Sequence, residues 1–464
     1  MARGKAINPE ALAKLGPERL AGLVVEACEN DQVLRRKVTI LLASEAGPDK
    51  VKSAIAKRIS SLARARSFVD WRGVAKLAGE LEALREGLVT RLAPEDPDAA
   101  LDLMWRFLEI AEHTFERVDD SSGRIGDVFH NAADDLGSLF AKVRGCDGPA
   151  LAERLHAGLG DDDYGVFSRT ITSGADGLGP EGRARLRALL EADMARLPAR
   201  QDGEAWNAVG WPRARIASQL AELADAESDV DAYMDAVRLG EREHLDAAAV
   251  AKRLIMAGRA DEALDWLDKD QRARSPFDLD VTDLRIAALE ALDRPAEAQT
   301  LRWQAFEMTL SASHLREHLK RLPDFEDFDA EQRAIAHAAT FADALTALNF
   351  LVRWPAPEAG DALVRRRIAE LDGRHYDWLS EAADRLSDKW PVSATLLYRA
   401  MVISVLQRAA SKAYPHAARN LELALFVGER LTTDSGIPDN AAFLATLKSK
   451  HGRKYSFWSR VPDL

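Results

Sequence analysis

The residues with the greatest potential for chemistry form the stretch His314–His318, which matches the pattern H-x-x-E-H. On a helix, His314 and His318 share one face and could bind zinc, with Glu317 as a base. Three basic side chains crowd this stretch: Arg316, Lys320 and Arg321. Positive charge opposes a bound dication. We therefore assign no metal or cofactor, and a metal-dependent hydrolase is the weakest of three functional hypotheses.

An acidic turn at Asp119–Gly123, followed by Asp127, has oxygen ligands of the kind that calcium prefers. A calcium loop of the EF-hand type would need a glutamate at its twelfth position, where this chain has His130. We expect helix capping instead, with Ser121 or Ser122 accepting amide hydrogens at the start of the next helix. The same interpretation applies to Asp161–Asp163.

Positive charge is concentrated between residues 50 and 72, in a chain whose net charge is −12. A helix with one basic face could contact nucleic-acid phosphates. The alternative is a solvated face, or one that pairs with acidic residues such as Glu80, Glu82 and Glu86. The candidate contacts for nucleic acid or another partner are Lys57, Arg58, Arg64, Arg66 and Arg72.

A second basic stretch, the segment from Lys448 to Arg460, contains no acidic residue and includes three aromatic rings. Rings among basic side chains suit stacking on single-stranded bases. They equally suit a tail that docks its rings on the last helices, which we favour. The candidate contacts here are Arg453, Lys454 and Trp458.

No nucleotide-binding or hydrolase motif occurs, because G-x-x-x-x-G-K-[ST], G-x-S-x-G and H-E-x-x-H are all missing. We therefore predict that the protein is not an enzyme. The negative net charge argues against general nucleic-acid affinity. No stretch reaches 18 uncharged apolar residues, and the start lacks an apolar signal core. The isolated Cys28 and Cys146 suggest a reducing compartment, so we expect a cytoplasmic protein.

Helices must position these side chains, since helix-favouring residues dominate and β-branched residues are sparse. A regular apolar stripe is typical of an amphipathic helix. The clearest stripe consists of Leu101, Met104, Trp105, Leu108, Ala111 and Phe115. The sequence predicts an all-α fold of roughly 20 helices with essentially no sheet.

Residues 257–263 are echoed 35 positions later by residues 292–298. Arg259, Glu262 and Ala263 correspond to Arg294, Glu297 and Ala298. A period near 34 is typical of paired-helix repeats of the tetratricopeptide type. The position seven residues past the alanine differs, however, with Asp270 in one copy and Ala305 in the other. We therefore predict an irregular α-solenoid of paired antiparallel helices.

Composition suggests four regions along the chain. We expect an N-terminal helical domain at 1–157 and an irregular Gly- and Asp-rich connection at 158–212. A tetratricopeptide-like region at 213–447 and a basic-aromatic tail at 448–464 follow.

Several stretches together resemble a bacterial family of uncharacterised helical proteins that is related to the carboxy-terminal part of some SWIM zinc-finger proteins. The stretches are 57–59, 66–71, 103–108, 115–123, 315–325, 414–419, 451–454 and 457–458. The resemblance implies no established activity. The Cys and His residues of a SWIM finger are missing, so zinc-finger chemistry does not follow.

The leading functional hypothesis is a cytoplasmic scaffold or adaptor that binds a protein or peptide on a helical-repeat surface. The second is a nucleic-acid-associated accessory protein that uses the basic segment and the tail. No membrane association is expected. The sequence does not identify the partner or the oligomeric state.

Overall fold

A computed structural model describes residues 8–144, 147–160, 162–198, 206–241, 243–269, 278–432 and 434–461. These residues are almost entirely helical, and the predicted all-α fold is confirmed for them. The chain divides into two compact units, Met1–Arg253 and Leu254–Leu464. None of the described helices is long and apolar enough to cross a membrane.

The first unit contains helices α1 to α13, the last of which crosses the division between the units. Their bounds are α1 Pro9–Ala13, α2 Pro17–Asn30, α3 Gln32–Glu45, α4 Pro48–Ala63, α5 Trp71–Gly87, α6 Pro97–Leu108, α7 Ala111–Phe115, α8 Arg124–Phe140, α9 Gly148–Gly160, α10 Arg169–Arg196, α11 Trp206–Ala226, α12 Val230–Leu239 and α13 Glu243–Met256. A π-helical turn, Leu88–Leu92, continues α5.

Local sequence explains why several of these helices begin where they do. Pro17, Pro48 and Pro97 occupy first-turn positions, where a missing amide hydrogen costs nothing. The Asp31 and Asp70 carboxylates accept backbone amide hydrogens at the starts of α3 and α5. Such caps satisfy donors that a helix start would otherwise leave unpaired.

The core of the first unit is built around aromatic side chains of α6 and α8. Trp105 stacks on Phe140 with ring centroids 6.3 Å apart, and Phe107 lies 5.3 Å from Phe129. Helices α8 and α10 approach closely at Gly137. A Cβ atom there would lie 2.5 Å from the backbone nitrogen of Gly174. The glycine is thus required by the packing of the two helices.

The expectation of an irregular connection at 158–212 is wrong for the described residues. Helix α10 covers Arg169–Arg196, and α11 has already begun at Trp206. The composition of this region interrupts helix α10 at one point. The backbone of Gly179, just before Pro180, is non-helical with φ 62°. Residues 199–205 and the side chain of Trp206 lie outside the described residues.

One short contact of strand type occurs in the described part of the first unit. Val69 and Val118 form an isolated parallel bridge. The Val69 amide donates to the Arg117 carbonyl at 2.9 Å, and the Asp119 amide donates to the Val69 carbonyl at 3.1 Å. These bonds fix the loop between α4 and α5 against the turn that precedes α8.

The second unit contains the remaining helices, α14 to α25. Their bounds are α14 Ala260–Leu267, α15 Leu279–Ala291, α16 Pro295–Thr309, α17 Ala312–Leu319, α18 Glu326–Thr340, α19 Ala344–Arg353, α20 Pro357–Arg367, α21 Tyr376–Leu386, α22 Pro391–Gln407, α23 Tyr414–Gly428, α24 Asn440–His451 and α25 Tyr455–Trp458. Short 3₁₀ turns lie at Ile368–Glu370 and Ser411–Ala413.

Helices that follow one another in the second unit pack as neighbours from α14 to α20 and from α21 to α23. Each pair buries its apolar side chains against the next, as the physical logic of helical repeats requires. Among the described helices of the second unit, α22 has the most buried residues. The hydroxyl of its Tyr398 donates to the Asp384 carboxylate. The stack is irregular, because helix lengths range from the four residues of α25 to the 17 of α22.

Candidate functional site

The two copies of the 35-residue echo adopt the same conformation. Gly258 and Asp293, which correspond, both have left-handed backbones, with φ of 75° and 55°. In each copy the backbone amide of the next residue donates to a leucine carbonyl: Arg259 to Leu254 at 2.8 Å, and Arg294 to Leu289 at 2.9 Å. Glycine adopts this backbone freely and aspartate tolerates it. The repeat is thus preserved in the backbone even where the residue type changes.

The corresponding side chains of the two copies also have the same roles. Ala263 and Ala298 are fully buried, which allows neighbouring helices to approach closely. The Arg259 Nε atom lies 2.7 Å from Glu262, and Arg294 Nε lies 2.6 Å from Glu297. Of the two residues seven positions farther on, Ala305 is buried, whereas Asp270 lies outside the described residues.

A groove of about 520 Å³ lies between α14, α15 and α16, which the echo places side by side. Its lining is Asp261, Leu264, Asp265, Asp268, Arg285, Leu289, Arg294, Glu297, Thr300, Leu301 and Gln304. The three leucines form an apolar floor, since Leu264 and Leu301 pack against the buried Leu289. We call this cavity the echo groove.

The echo groove carries more acidic than basic charge, with four carboxylates against two guanidiniums. Arg285 is paired with Asp268 at 2.7 Å, and Arg294 is paired with Glu297. Asp265 forms no ion pair with any described residue. Asp261 interacts with Arg294 through its charge, without forming an ion pair. An apolar floor with surplus carboxylates suits a segment that combines apolar and basic side chains.

The sequence analysis missed this acidic lining. One signal was present, because Asp261 and Asp265 are four residues apart and therefore share a face of α14. Three of the four carboxylates belong to α14 and its C-terminal cap, and Glu297 of α16 is the fourth. The sequence does not show which side chains face the space between these helices.

The histidines of the H-x-x-E-H stretch serve helix packing. The His314 ring nitrogens lie 2.9 Å from Asp283 and 2.8 Å from Ser311. His318 Nδ1 contacts the Gln299 carbonyl at 3.2 Å, and burial lowers the pKa of this imidazole, which favours its neutral form.

Glu317 of the same stretch is exposed and pairs with Arg321. No group of three or more metal-binding side chains occurs among the described residues. The two imidazoles have separate partners on α15 and α16, so they are not arranged as a pair of ligands.

The acidic turn before α8 caps a helix, although through a different residue from the one expected. Asp120 Oδ2 accepts from the amides of Ile125 and Gly126 at 3.0 and 2.9 Å. The prediction that Ser121 or Ser122 does so is wrong, because the reach of the aspartate spans the tight turn at Gly123. Asp162 accepts from the amides of Val166 and Phe167, which lie in the turn before α10, so it closes that turn and does not cap the helix as expected. Asp161 lies outside the described residues.

The structure separates the basic segment into two groups. Arg58 forms two bonds to Glu80, at 2.8 and 2.7 Å, and is part of the packing of α4 on α5. The others named by the sequence analysis, Lys57, Arg64, Arg66 and Arg72, are exposed. Arg58 is therefore a structural residue, and three of the four exposed candidates, Arg64, Arg66 and Arg72, lie after α4.

Two of the three rings of the basic tail dock, as the sequence favoured, whereas the third, Tyr455, is 79% exposed. Phe457 is fully buried and lies 5.7 Å from Tyr414, while Trp458 Nε1 donates to the His451 carbonyl at 3.0 Å. Arg453 is exposed and Lys454 is half-buried. Trp458 is thus engaged in packing, and Pro462–Leu464 lie outside the described residues.

Cys28 is a free, half-buried thiol, and Cys146 lies outside the described residues. Comparison with curated proteins gives no significant match. Comparison with family models gives a match over residues 2–460. The resemblance to an uncharacterised family is thereby confirmed, and the match extends over both units. The chain belongs to the family of unknown function DUF6880.

Proposed function

We propose that this protein is a non-enzymatic adaptor that binds a peptide segment of another protein in the echo groove. The observation that carries the proposal is the acidic groove between the two echoed helix pairs, with its floor of Leu264, Leu289 and Leu301. The peptide would present lysine or arginine to Asp261 and Asp265 and an apolar side chain to the floor. Repeat proteins commonly bind partners along such inter-helix surfaces.

The groove size supports a peptide of a few residues. Its volume lies within the range of about 300–1,000 Å³ that is typical of ligand sites in proteins. Cytoplasmic location and tetratricopeptide-like binding are parts of the same proposal. We also propose a relation to SWIM zinc-finger proteins. The adaptor role itself requires no zinc.

The proposal is tested by selecting peptides from a displayed random library on the full-length protein. We expect the recovered peptides to share a lysine or arginine next to an apolar residue. The double variant Asp261→Asn with Asp265→Asn should weaken binding of a recovered peptide roughly three- to tenfold, as exposed ion pairs contribute modestly. Added salt should weaken binding to the wild-type protein for the same reason.

A matched control removes the same charge elsewhere in the second unit. Asp324 and Asp329 are exposed residues outside the echo groove, and their replacement by asparagine should leave peptide affinity unchanged. Equal loss in both double variants would show a general charge effect and would refute the groove as the site. Recovery of peptides without basic residues would refute its proposed ligand.

A further inference from the structure

The loop between α4 and α5, residues 64–70, is held rigidly at its backbone. Besides the bridge between Val69 and Val118, the Ala65 carbonyl lies 2.7 Å from the His113 ring. At its end, the Asp70 carboxylate accepts from the amides of Arg72 and Gly73 at 3.1 Å each. Such contacts fix the direction in which the loop side chains project.

Two large rings project into solvent from this rigid segment. Phe68 is 67% exposed and Trp71 is 65% exposed. The Arg72 guanidinium lies 5.1 Å from the centre of the Trp71 ring. Exposed rings cost solvation free energy, so their placement on a fixed loop is unusual for a surface without a binding role.

The segment that carries these rings also carries positive charge, beside the exposed Asp119 of the neighbouring turn. Arg64 and Arg66 are exposed and form no ion pair with any described residue. The acidic residue within the loop, Asp70, has its carboxylate directed to helix amides. We call the exposed side chains of Arg64, Arg66, Phe68, Trp71 and Arg72 the arginine-aromatic loop.

A buried arginine lies beneath this loop. Arg117 is only 8% exposed, and its Nη1 makes a long 3.4 Å bond to the Ser67 carbonyl. Its Nε and Nη2 atoms have no hydrogen-bond partner among the described residues. Burial, and then the nearby positive charge of Arg58, lower the pKa of Arg117. A buried cation with unpaired donors is costly, and an anion beside it would relieve that cost.

Flat exposed rings, free guanidiniums and an unpaired buried arginine are together complementary to single-stranded nucleic acid. Single strands expose base faces that stack on aromatic rings, and their phosphates match guanidinium donors. Duplexes hide those faces. An acidic peptide would satisfy the arginines but would leave the rings without stacking partners.

We propose that the arginine-aromatic loop binds single-stranded nucleic acid, with bases stacked on Phe68 and Trp71 and a phosphate held near Arg117. The site lies wholly in the first unit and is independent of the echo groove. The rest of the acidic surface repels polyanions, so binding would be confined to this loop.

The test is an anisotropy titration of the full-length protein with short fluorescent oligothymidylate and oligouridylate at low salt. Both single strands should bind, a duplex should bind more weakly, and the ratio of the two single strands distinguishes DNA from RNA. Replacing Phe68 or Trp71 by alanine should reduce affinity roughly tenfold each, whereas Trp71→Phe should retain most of it. Arg64→Glu with Arg66→Glu should weaken binding strongly and flatten the salt dependence of the binding that remains.

The control is Lys50→Glu with Lys52→Glu, the same charge reversal at exposed positions of α4, which should change affinity little. Arg117→Met distinguishes a ligand role from a structural one. It should lower affinity and raise the melting temperature, because it removes a buried unpaired charge. A fall in both would show that Arg117 serves the fold.

Flat titrations with both single strands would overturn the proposal. So would equal losses in the lysine control and the arginine variant. Polyglutamate is the probe for an acidic protein partner. If it binds as tightly as the oligonucleotides, and binding ignores Phe68→Ala and Trp71→Ala, the loop recognises acidic protein instead.

Discussion

Glu80 is the residue on which the packing of α3 and α4 against α5 most depends. Its carboxylate is 8% exposed and accepts from both Arg36 and Arg58, at distances of 2.7 to 3.1 Å. Burial alone would raise the pKa of this carboxyl, but the bonds from Arg58 and Arg36 outweigh burial and lower it. Glu80 thus folds as an anion shared by two arginines.

Replacement of Glu80 by glutamine should destabilise the first unit by about 3 kcal/mol, because two partly buried guanidiniums lose their counter-charge. Since the folded pKa of Glu80 is depressed, its stabilisation is present above the ordinary pKa and is lost as pH falls. Urea denaturation of both proteins at pH 7 and at pH 4 measures this. A variant as stable as wild type at pH 7 would contradict the account.

Glu222 of α11 is in the opposite situation. Its Oε2 atom is buried without a hydrogen-bond partner among the described residues, and burial raises the pKa of the carboxyl to about 7, against a smaller opposing effect of Arg169. The folded state therefore holds this proton more tightly than the unfolded chain. Stability from this group is greatest at low pH and declines between about pH 4.5 and pH 7.

Glu222→Gln should remove that decline. Relative to wild type, the variant should gain stability as pH rises from 5 to 8, by on the order of 3 kcal/mol at most. Paired denaturation curves across this pH range provide the measurement. A stability difference that stays constant with pH would show that Glu222 titrates normally.

The sequence predicted individual residues well where a local rule applied. The docking of Phe457 and the burial of Ala263 and Ala298 follow from apolar side chains at helical spacing. Asp120 was missed as a cap because it lies five residues before Ile125, whose backbone amide donates to its carboxylate, and this exceeds the ordinary capping spacing. Arg117 was missed because its burial depends on the bridge from a distant segment.

Among the helices, the close approach of α8 and α10 can be tested by a single substitution. Gly137→Ala would place a methyl group against the backbone of Gly174 and should destabilise the protein by about 1–3 kcal/mol. Gly126→Ala in the same helix is the matched control. A Cβ atom there meets only Asp120 at 3.8 Å, and alanine should stabilise the helix by about 0.5 kcal/mol.

Thermal melts of the two glycine variants give the comparison directly. If Gly137→Ala melts no lower than Gly126→Ala, the two helices are farther apart than the structure shows. The starts of α4 and α5 were predictable from Pro48 and Asp70, by the ordinary rules for helix starts. The helical halves of α10, on either side of the break at Gly179, were not, since packing against α8 and α9 overrides the weak propensity of their Gly- and Asp-rich sequence.

For the whole molecule, helix-favouring composition sufficed to predict the all-α class. The division near residue 253 was not predicted, because it falls within the continuous helix α13 and leaves no change in composition. The two proposed sites lie in different units. Variants of the arginine-aromatic loop should therefore leave peptide binding unchanged, and variants of the echo groove should leave nucleic-acid binding unchanged. Reciprocal titrations measure this independence, and a loss of both activities in one variant would contradict it.

The central claim of the proposed adaptor function is that a peptide binds in the echo groove. A recovered basic peptide that carries a photo-activatable group beside its lysine or arginine can be cross-linked to the full-length protein and mapped by mass spectrometry. The account predicts cross-links to the groove lining on α14 and α16, especially near Leu264, Leu301 and Gln304. These cross-links should weaken in the double variant of Asp261 and Asp265. Cross-links concentrated outside the echo groove, and unchanged in that variant, would contradict it.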